Sequence, residues 1–330
     1  MHEVRARVIS QEKGLYKISS GAEVRLASVS GKYRHEAMTV SDYPAVGDEV
    51  LAEWPEGDGQ AVIRSLVPRR SCFIRKAAGN TKQEQVVAAN IDTVFICMSL
   101  NQNFNVRRLE RYLSVAYESG AAPVVVFTKA DLCRDVDAKV AAARAVAPGV
   151  EILTVSSLSG DYDAVLRYVR PGQTVAFLGS SGVGKSTLIN RLTGTDRIAT
   201  GEIGNDDKGR HTTTHRELIT LPNGACVIDT PGMRELGMWD SGDGIDRAFQ
   251  DVETLAHACR FSDCTHTTEP GCAIQRALAD GTLDAVRWEA FRKLKAENSR
   301  AADNSSYLEA KRVKFKAIAK SNKAAKKARR

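Results

Sequence analysis

Two sets of residues in this 330-residue chain have types and spacings suited to chemistry. The first is Gly179-Ser180-Ser181-Gly182-Val183-Gly184-Lys185-Ser186-Thr187, which fits the pattern G-x-x-x-x-G-K-[ST]. Glycines there let backbone N–H groups wrap a polyphosphate with no Cβ in the way. Lys185 is the residue to reach the β- and γ-phosphates and so to act in catalysis, and the Ser186 hydroxyl is the candidate magnesium ligand. The second set is Cys259, Cys264, His266 and Cys272, spaced C-x4-C-x-H-x5-C. Three thiolates and an imidazole so close in sequence make a closed tetrahedral zinc site. Such a site is structural, because catalytic zinc keeps one position open.

Further candidates lie where apolar runs end. Val124-Val125-Val126-Phe127 is followed by Thr128-Lys129-Ala130-Asp131, and Ile152–Val155 by Ser156-Ser157. In guanine-nucleotide enzymes an [NT]-K-x-D loop reads the base. The Asp carboxylate accepts from guanine N1–H and the 2-amino group, the Lys stem covers the ring, and a serine loop offers N–H to O6. Thr128 stands where Asn is commoner, so one contact is weaker or replaced. After the glycine loop, residues 196–216 are polar and Gly-rich and carry Arg210-His211-Thr212-Thr213-Thr214-His215. A γ-phosphate can order such a segment, with Thr213 completing the magnesium shell. Cys226-Val227-Ile228 then leads to Asp229-Thr230-Pro231-Gly232. Asp229 takes the place of the acid near magnesium, and the Gly232 N–H that of a γ-phosphate sensor.

The elements that must position these residues fall into three stretches. Residues 1–70 read as five short strands, with Val4, Ala6 and Val8 alternating with charged residues and glycines punctuating the turns. That spacing predicts an OB-fold β-barrel. Its ten acids balance its ten Lys and Arg, so charge does not decide between nucleic-acid binding and simple docking. Arg69, Arg70, Arg75 and Lys76 suggest a basic edge just after it. Residues 71–237 alternate strands and helices, a doubly wound α/β domain in which ligands sit at the carboxyl ends of the strands. The phosphate loop is placed between the strand Thr174–Leu178 and a helix from Lys185, aiming free N–H groups at the anion. Residues 238–330 read as helices around the Cys/His cluster, followed by a basic tail.

Composition excludes other classes. Apolar content of 43% and charged content of 26% belong to a globular protein. No run of about 18 apolar residues occurs, and Met1–Arg5 does not begin a signal peptide, which points to the cytoplasm and away from membranes. Seven cysteines without a secretory signal argue against a disulfide framework. The net charge of +7 is a property of Lys311–Arg330, which holds ten basic residues and leaves the first 310 at −3. Such a tail is either a solvated face or a contact for nucleic acid.

The order of the motifs is informative. Ras-like GTPases place the base-reading loops last; here they precede the phosphate loop, as in a circularly permuted GTPase. With a barrel before it and a Cys₃His module after it, the chain resembles the ribosome small-subunit-dependent GTPase A (RsgA) family. The resemblance covers residues 1–320 and is most specific at Gly179–Thr187, Arg210–Thr214, Asp229–Gly232 and Cys259–Cys272. It implies a GTPase that binds the small ribosomal subunit and its rRNA late in maturation, with hydrolysis stimulated by the subunit; a monomer is expected. The residues alone reach a magnesium-dependent GTP hydrolase with RNA contacts, one structural zinc, and GTP or GDP as ligand. A P-loop nucleotide-binding protein whose site is only structural is the alternative. Met233 occupies the place where Ras-like enzymes carry a water-orienting Gln, so isolated turnover is expected to be slow. His211 is the first candidate to position or deprotonate water. His215, the ribosome itself, or a purely RNA-contacting role for both imidazoles stay open.

Overall fold

Alternation of apolar and charged residues builds strand β1 (His2–Glu12), whose Ala6 and Val8 turn inward. The strands β2 (Leu15–Ser20), β3 (Glu23–Val29), β4 (Glu49–Trp54) and β5 (Ala61–Leu66) follow in the computed structural model. Residues 2–12, 14–76, 84–101, 103–156, 162–194, 217–229 and 242–299 are described here. The order β1-β2-β3-β5-β4 closes back on β1, with β3 and β5 parallel, which is the five-stranded OB barrel. Val8, Ile18, Ala27, Val50, Ala52 and Ile63 fill its core. A helix not anticipated from sequence, α1 (Gly31–Glu36), sits between β3 and β4. It is capped by the Ser30 side chain and adds Tyr33 to that core.

A hairpin of β6 (Cys72–Lys76) and β7 (Glu84–Ala89) follows the barrel, and it too escaped the sequence reading. Arg69 does not serve a basic edge: its guanidinium is spent on the fully buried Asp48 at 2.8–2.9 Å, and Arg70 pairs with Asp92.

The main sheet contains β8 (Thr93–Ser99), β9 (Ala122–Thr128), β10 (Glu151–Thr154), β11 (Thr174–Leu178), β12 (Glu217–Thr220) and β13 (Cys226–Asp229). Their spatial order is β10-β9-β8-β11-β13-β12, parallel except for β12. Its strands read as near-continuous apolar runs because helices cover both faces. Val94, Ile96, Val125, Phe127, Ala176 and Leu178 point to one face, under α2 (Val106–Ser119) and α3 (Val136–Val146). Phe95, Cys97, Val124, Val126, Val175 and Phe177 point to the other, under α4 (Asp163–Leu166) and α5 (Lys185–Thr193). The helix expected over Tyr162–Val169 is regular only over Asp163–Leu166.

Beyond residue 242 come α6 (Gly242–Ala248), α7 (Gln250–His257), α8 (Ala273–Asp280) and a last described helix over 285–299. Their Ile245, Phe249, Ile274 and Phe291 belong to the same core as α2 and its face of the sheet. Gly244 permits the closest approach, since a Cβ there would lie 2.2 Å from the Ser114 carbonyl oxygen of α2. Arg287, with its side chain 8% exposed, reaches Glu110 of α2, which is wholly buried.

The barrel joins the sheet through β1. Its Ser10 pairs with Glu217 of β12, and its Arg7 donates to Thr174 Oγ1 at 2.6 Å. Among the described residues no helix is long and apolar enough to cross a membrane.

Candidate nucleotide site and metal centre

The loop after β11 is shaped by what lies beneath it. Gly179 has φ +145°, and a Cβ there would fall 2.3 Å from the Cys97 carbonyl oxygen of the neighbouring strand β8. Any side chain would lift the loop off the sheet. Gly182 and Gly184 also take left-handed backbone, with φ of +74° and +90°, and Gly184 begins α5. Ser181 and Gly182 are exposed, while Val183 anchors the loop in the core below. Lys185 is almost completely buried, and its Nζ donates to the carbonyls of Gly179 at 2.7 Å and Ser180 at 2.5 Å. Those bonds fold the lysine back over the loop, holding a cation where loops of this pattern meet β- and γ-phosphates. Ser186 and Thr187 occupy the first turn of α5, whose N–H groups and dipole favour an anion. Burial pushes the Cys97 thiol up to about 12, leaving it inert.

The base-reading candidates converge on the same end of the sheet. Thr128 closes β9, and its Oγ1 donates to the Val183 carbonyl at 2.6 Å. The threonine thus ties this loop to the phosphate loop and is buried in doing so. Lys129 takes a left-handed φ of +56°, and Ala130 opens a short 3₁₀ turn. Asp131 Oδ1 accepts from Ser156 Oγ at 2.6 Å, bringing together the two loops that follow β9 and β10. Asp229 ends β13 opposite Glu217, at the carboxyl edge shared with the phosphate loop. Ser157, His211, Thr213 and Gly232 lie outside the described residues.

Two residues absent from the sequence reading also reach the phosphate loop. Asn103 Nδ2 donates to Ser180 Oγ at 3.0 Å, and Arg108 Nη1 donates to it at 3.3 Å. They come from the loop after β8 and the first turn of α2. The signal was available: the rule that ligands sit after strand ends applies to β8 as it does to β9 and β10.

The second centre is built by the turn before α8. The ligand atoms of Cys259, Cys264, His266 and Cys272 all lie within 4.8 Å of one another. Cys259 Sγ is 3.5 Å and Cys272 Sγ 3.6 Å from His266 Nδ1, and the two sulfurs are 3.9 Å apart. The group can hold a metal ion. Backbone N–H groups of Ala273 and Gln275 point at Cys259 and Cys272 sulfurs at 3.3 and 3.4 Å, stabilising thiolate charge. His266, at φ +60°, packs edge-on against Trp288. Glu269 braces the turn by accepting from the Thr265 side chain and from the backbone N–H groups of Thr265, Thr267 and Thr268. Led by the Thr265 side-chain bond, these hydrogen bonds hold its carboxyl down at about 2.

A sheet of order β10-β9-β8-β11-β13-β12, whose glycine loop follows the fourth strand in sequence, defines a circularly permuted P-loop GTPase flanked by a barrel and a Cys₃His module. The fold matches the crystal structure of YjeQ from Thermotoga maritima, with TM-score 0.67 and 24% identity over 90% of this chain and 98% of that one. It also matches the crystal structure of YloQ, a circularly permuted GTPase, with TM-score 0.64 and 23% identity over 92% and 96% of the two chains. The family model for the RsgA GTPase matches residues 66–239. Small ribosomal subunit biogenesis GTPase RsgA 2 of Lactiplantibacillus plantarum is 50% identical over 94% of this chain and 88% of its own. The RsgA protein of Opitutus terrae is 47% identical over 90% and 84%. The chain belongs to the RsgA GTPase family.

Proposed function

We propose that this chain is a magnesium-dependent GTP hydrolase that acts in late maturation of the small ribosomal subunit, contacts its rRNA, and is stimulated by it in the cytoplasm. The observation that carries the reading is the joining of three loops at one sheet edge. Thr128 bonds to Val183 and Asp131 to Ser156, while Lys185 is folded over Gly179 and Ser180. A base bound by Asp131 therefore has its phosphates delivered to the glycine loop. The relatives' printed role in small-subunit biogenesis supports the ribosomal partner.

Within this reading, Gly179–Thr187 cradle the phosphates, Thr128–Asp131 with Ser156 and Ser157 select guanine, and Ser186 and Thr213 hold magnesium beside Asp229. Held by Ser186 and Thr213, magnesium would supply positive charge against the negative charge that builds on the phosphates. Gly232 senses the γ-phosphate, and His211 positions water when RNA fixes its segment. The Cys₃His group fits zinc. A tetrahedron with about 2.3 Å Zn–S and 2.0 Å Zn–N bonds has S···S edges of about 3.8 Å and S···N edges of about 3.5 Å. The measured 3.9, 3.5 and 3.6 Å are close to those edges. With four protein ligands the centre is structural. Residues 1–70, 71–237 and 238–330 serve as barrel, permuted GTPase and zinc module, with Lys311–Arg330 as a phosphate-binding tail.

Steady-state phosphate release with and without small ribosomal subunits tests the reading. Slow GTP turnover that rises sharply with subunits is expected. GTP binding without turnover in either condition would make the site structural and refute it.

A further inference from the structure

Helix α2 presents three arginines near its start, and two of them are neutralised. Arg107 pairs with Glu110 at 2.6 Å, and Arg111 bonds both carboxylate oxygens of Glu297. Arg108 meets no carboxylate among the described residues. Its Nη1 donates instead to the Asn103 amide oxygen and to Ser180 Oγ. Ser180 is also the residue whose carbonyl takes the Lys185 ammonium at 2.5 Å. Two cations thus address Ser180, one of the two phosphate-loop residues whose carbonyls hold the lysine that in a P-loop reaches the β/γ-phosphates.

We infer that Arg108 is a built-in catalytic arginine of this enzyme: on GTP binding its guanidinium leaves Asn103 and Ser180 for a γ-phosphate oxygen. The inference rests on the GTPase reading above. Its chemistry is that of charge stabilisation. Water oxygen bonds to the γ-phosphorus, the bridge bond to the β-phosphate breaks with its electron pair going to GDP, and the proton departs with phosphate to solvent. Charge spreads over the γ-oxygens during this step, where a positioned cation lowers the barrier. Arg108 neither gives nor takes a proton, since guanidinium stays charged in proteins. Its present partners, an amide oxygen and a hydroxyl, are neutral. Exchanging them for phosphate oxygens pairs the guanidinium charge with an anion and lets its planar fork meet two oxygens side by side. An arginine locked to a carboxylate, like Arg107 or Arg111, lacks that freedom.

The test compares wild type, Arg108→Ala and Arg108→Lys in the full chain. The measurements are GDP affinity, affinity for GDP with aluminium fluoride as a mimic of the transferring phosphoryl group, and single-turnover GTP hydrolysis. Arg108→Ala is expected to keep GDP affinity within about threefold and to lose hydrolysis on the order of 10³-fold, the lower end for a catalytic arginine. It should also lose the tighter binding of the fluoride complex, and Arg108→Lys should recover part of both. Hydrolysis within threefold of wild type in Arg108→Ala would overturn the inference. So would an equal loss of GDP and fluoride-complex affinity, which would reduce Arg108 to a prop for Ser180. If wild type itself releases no phosphate, with or without small subunits, it is the GTPase reading that fails.

Discussion

Replacing Arg287 with methionine should loosen the C-terminal helices from α2. The guanidinium donates to Glu110 Oε1 at 2.7 Å, to both Asp251 oxygens at 2.6 Å, and to the Ala248 carbonyl at 3.1 Å. Glu110 has no exposed surface, so loss of Arg287 strands most of its charge. Removing one partner of a buried pair costs about 3–5 kcal/mol. Arg107, with its side chain 37% exposed, still donates to the same Oε1. The loss therefore belongs near the bottom of that range, at about 3 kcal/mol. Trp288, stacked on Phe291 in the same helix, reports the event. Urea unfolding followed by its fluorescence, with Trp54 and Trp239 changed to phenylalanine in every protein compared, measures the cost. Adding Glu110→Gln removes the stranded charge and should restore at least half. Acid sharpens the test. Burial alone would raise the Asp251 carboxyl, but the hydrogen bonds and charge of Arg287 outweigh it and hold the group below its ordinary value. A carboxyl so depressed contributes stability above its unfolded pKa of about 3.9, and that contribution is lost as pH falls through the lower folded value. The acid limb of the stability curve should flatten in Arg287→Met. A loss below about 1 kcal/mol, or a double variant no better than the single, would refute the reasoning.

Three further outcomes are expected. Asp131→Asn should reject GTP by roughly 10⁴-fold and accept xanthosine triphosphate, which offers O2 where guanine has its amino group; unchanged GTP affinity in a titration would remove Asp131 from the site. Thr128→Val deletes the buried donor to Val183, a cost of roughly 1–3 kcal/mol, so fluorescent GDP and GTP analogues should both bind about tenfold more weakly. Equal affinity would show that the loop keeps its shape without the threonine. Freshly purified protein should carry one zinc per chain, and chelation should unravel residues 259–272 and shift Trp288 emission as the His266 contact is lost. Nucleotide affinity should persist, and its disappearance with the metal would contradict a purely structural centre.

Legibility in the sequence followed burial. The strand Thr174–Leu178 and the helix Val136–Val146 were readable to the residue: one is a five-residue run buried throughout, the other is opened by Asp135, whose side chain caps it. The hairpin of β6 and β7 was not, because its strands are defined by each other and the partner lies beyond residues 77–83. Strand β12 has four residues and gains its place only by pairing with β13 and touching β1. Helix α8 hid behind its own cap: Cys272 reads as a metal ligand, yet its sulfur also accepts the Gln275 N–H that starts the helix. At the site, Thr128 read as a weakened base contact, whereas its hydroxyl is committed to Val183. Asn103 and Arg108 required the fold, since nothing in their spacing announces the 72–77 residues that separate them from Ser180.

Helix α2 has partners at both ends, and thermodynamics attaches a condition to that. Its first turn grips Ser180 of the phosphate loop, while Glu110 and Arg111 hold Arg287 and Glu297 of the C-terminal helices, and Glu118 caps the Gly244 N–H. If a partner docks on the Cys₃His module, a shift of the helix that favours one nucleotide is felt by that partner too. Linkage makes this traffic two-way: the factor by which GTP tightens docking equals the factor by which docking tightens GTP. Coupling energies of this kind typically amount to 1–3 kcal/mol, about 5- to 150-fold. A maturation factor wired in this manner needs no separate release signal. Where the docked state prefers GTP, hydrolysis removes the preferred phosphate, and the grip on the partner weakens by the same ratio.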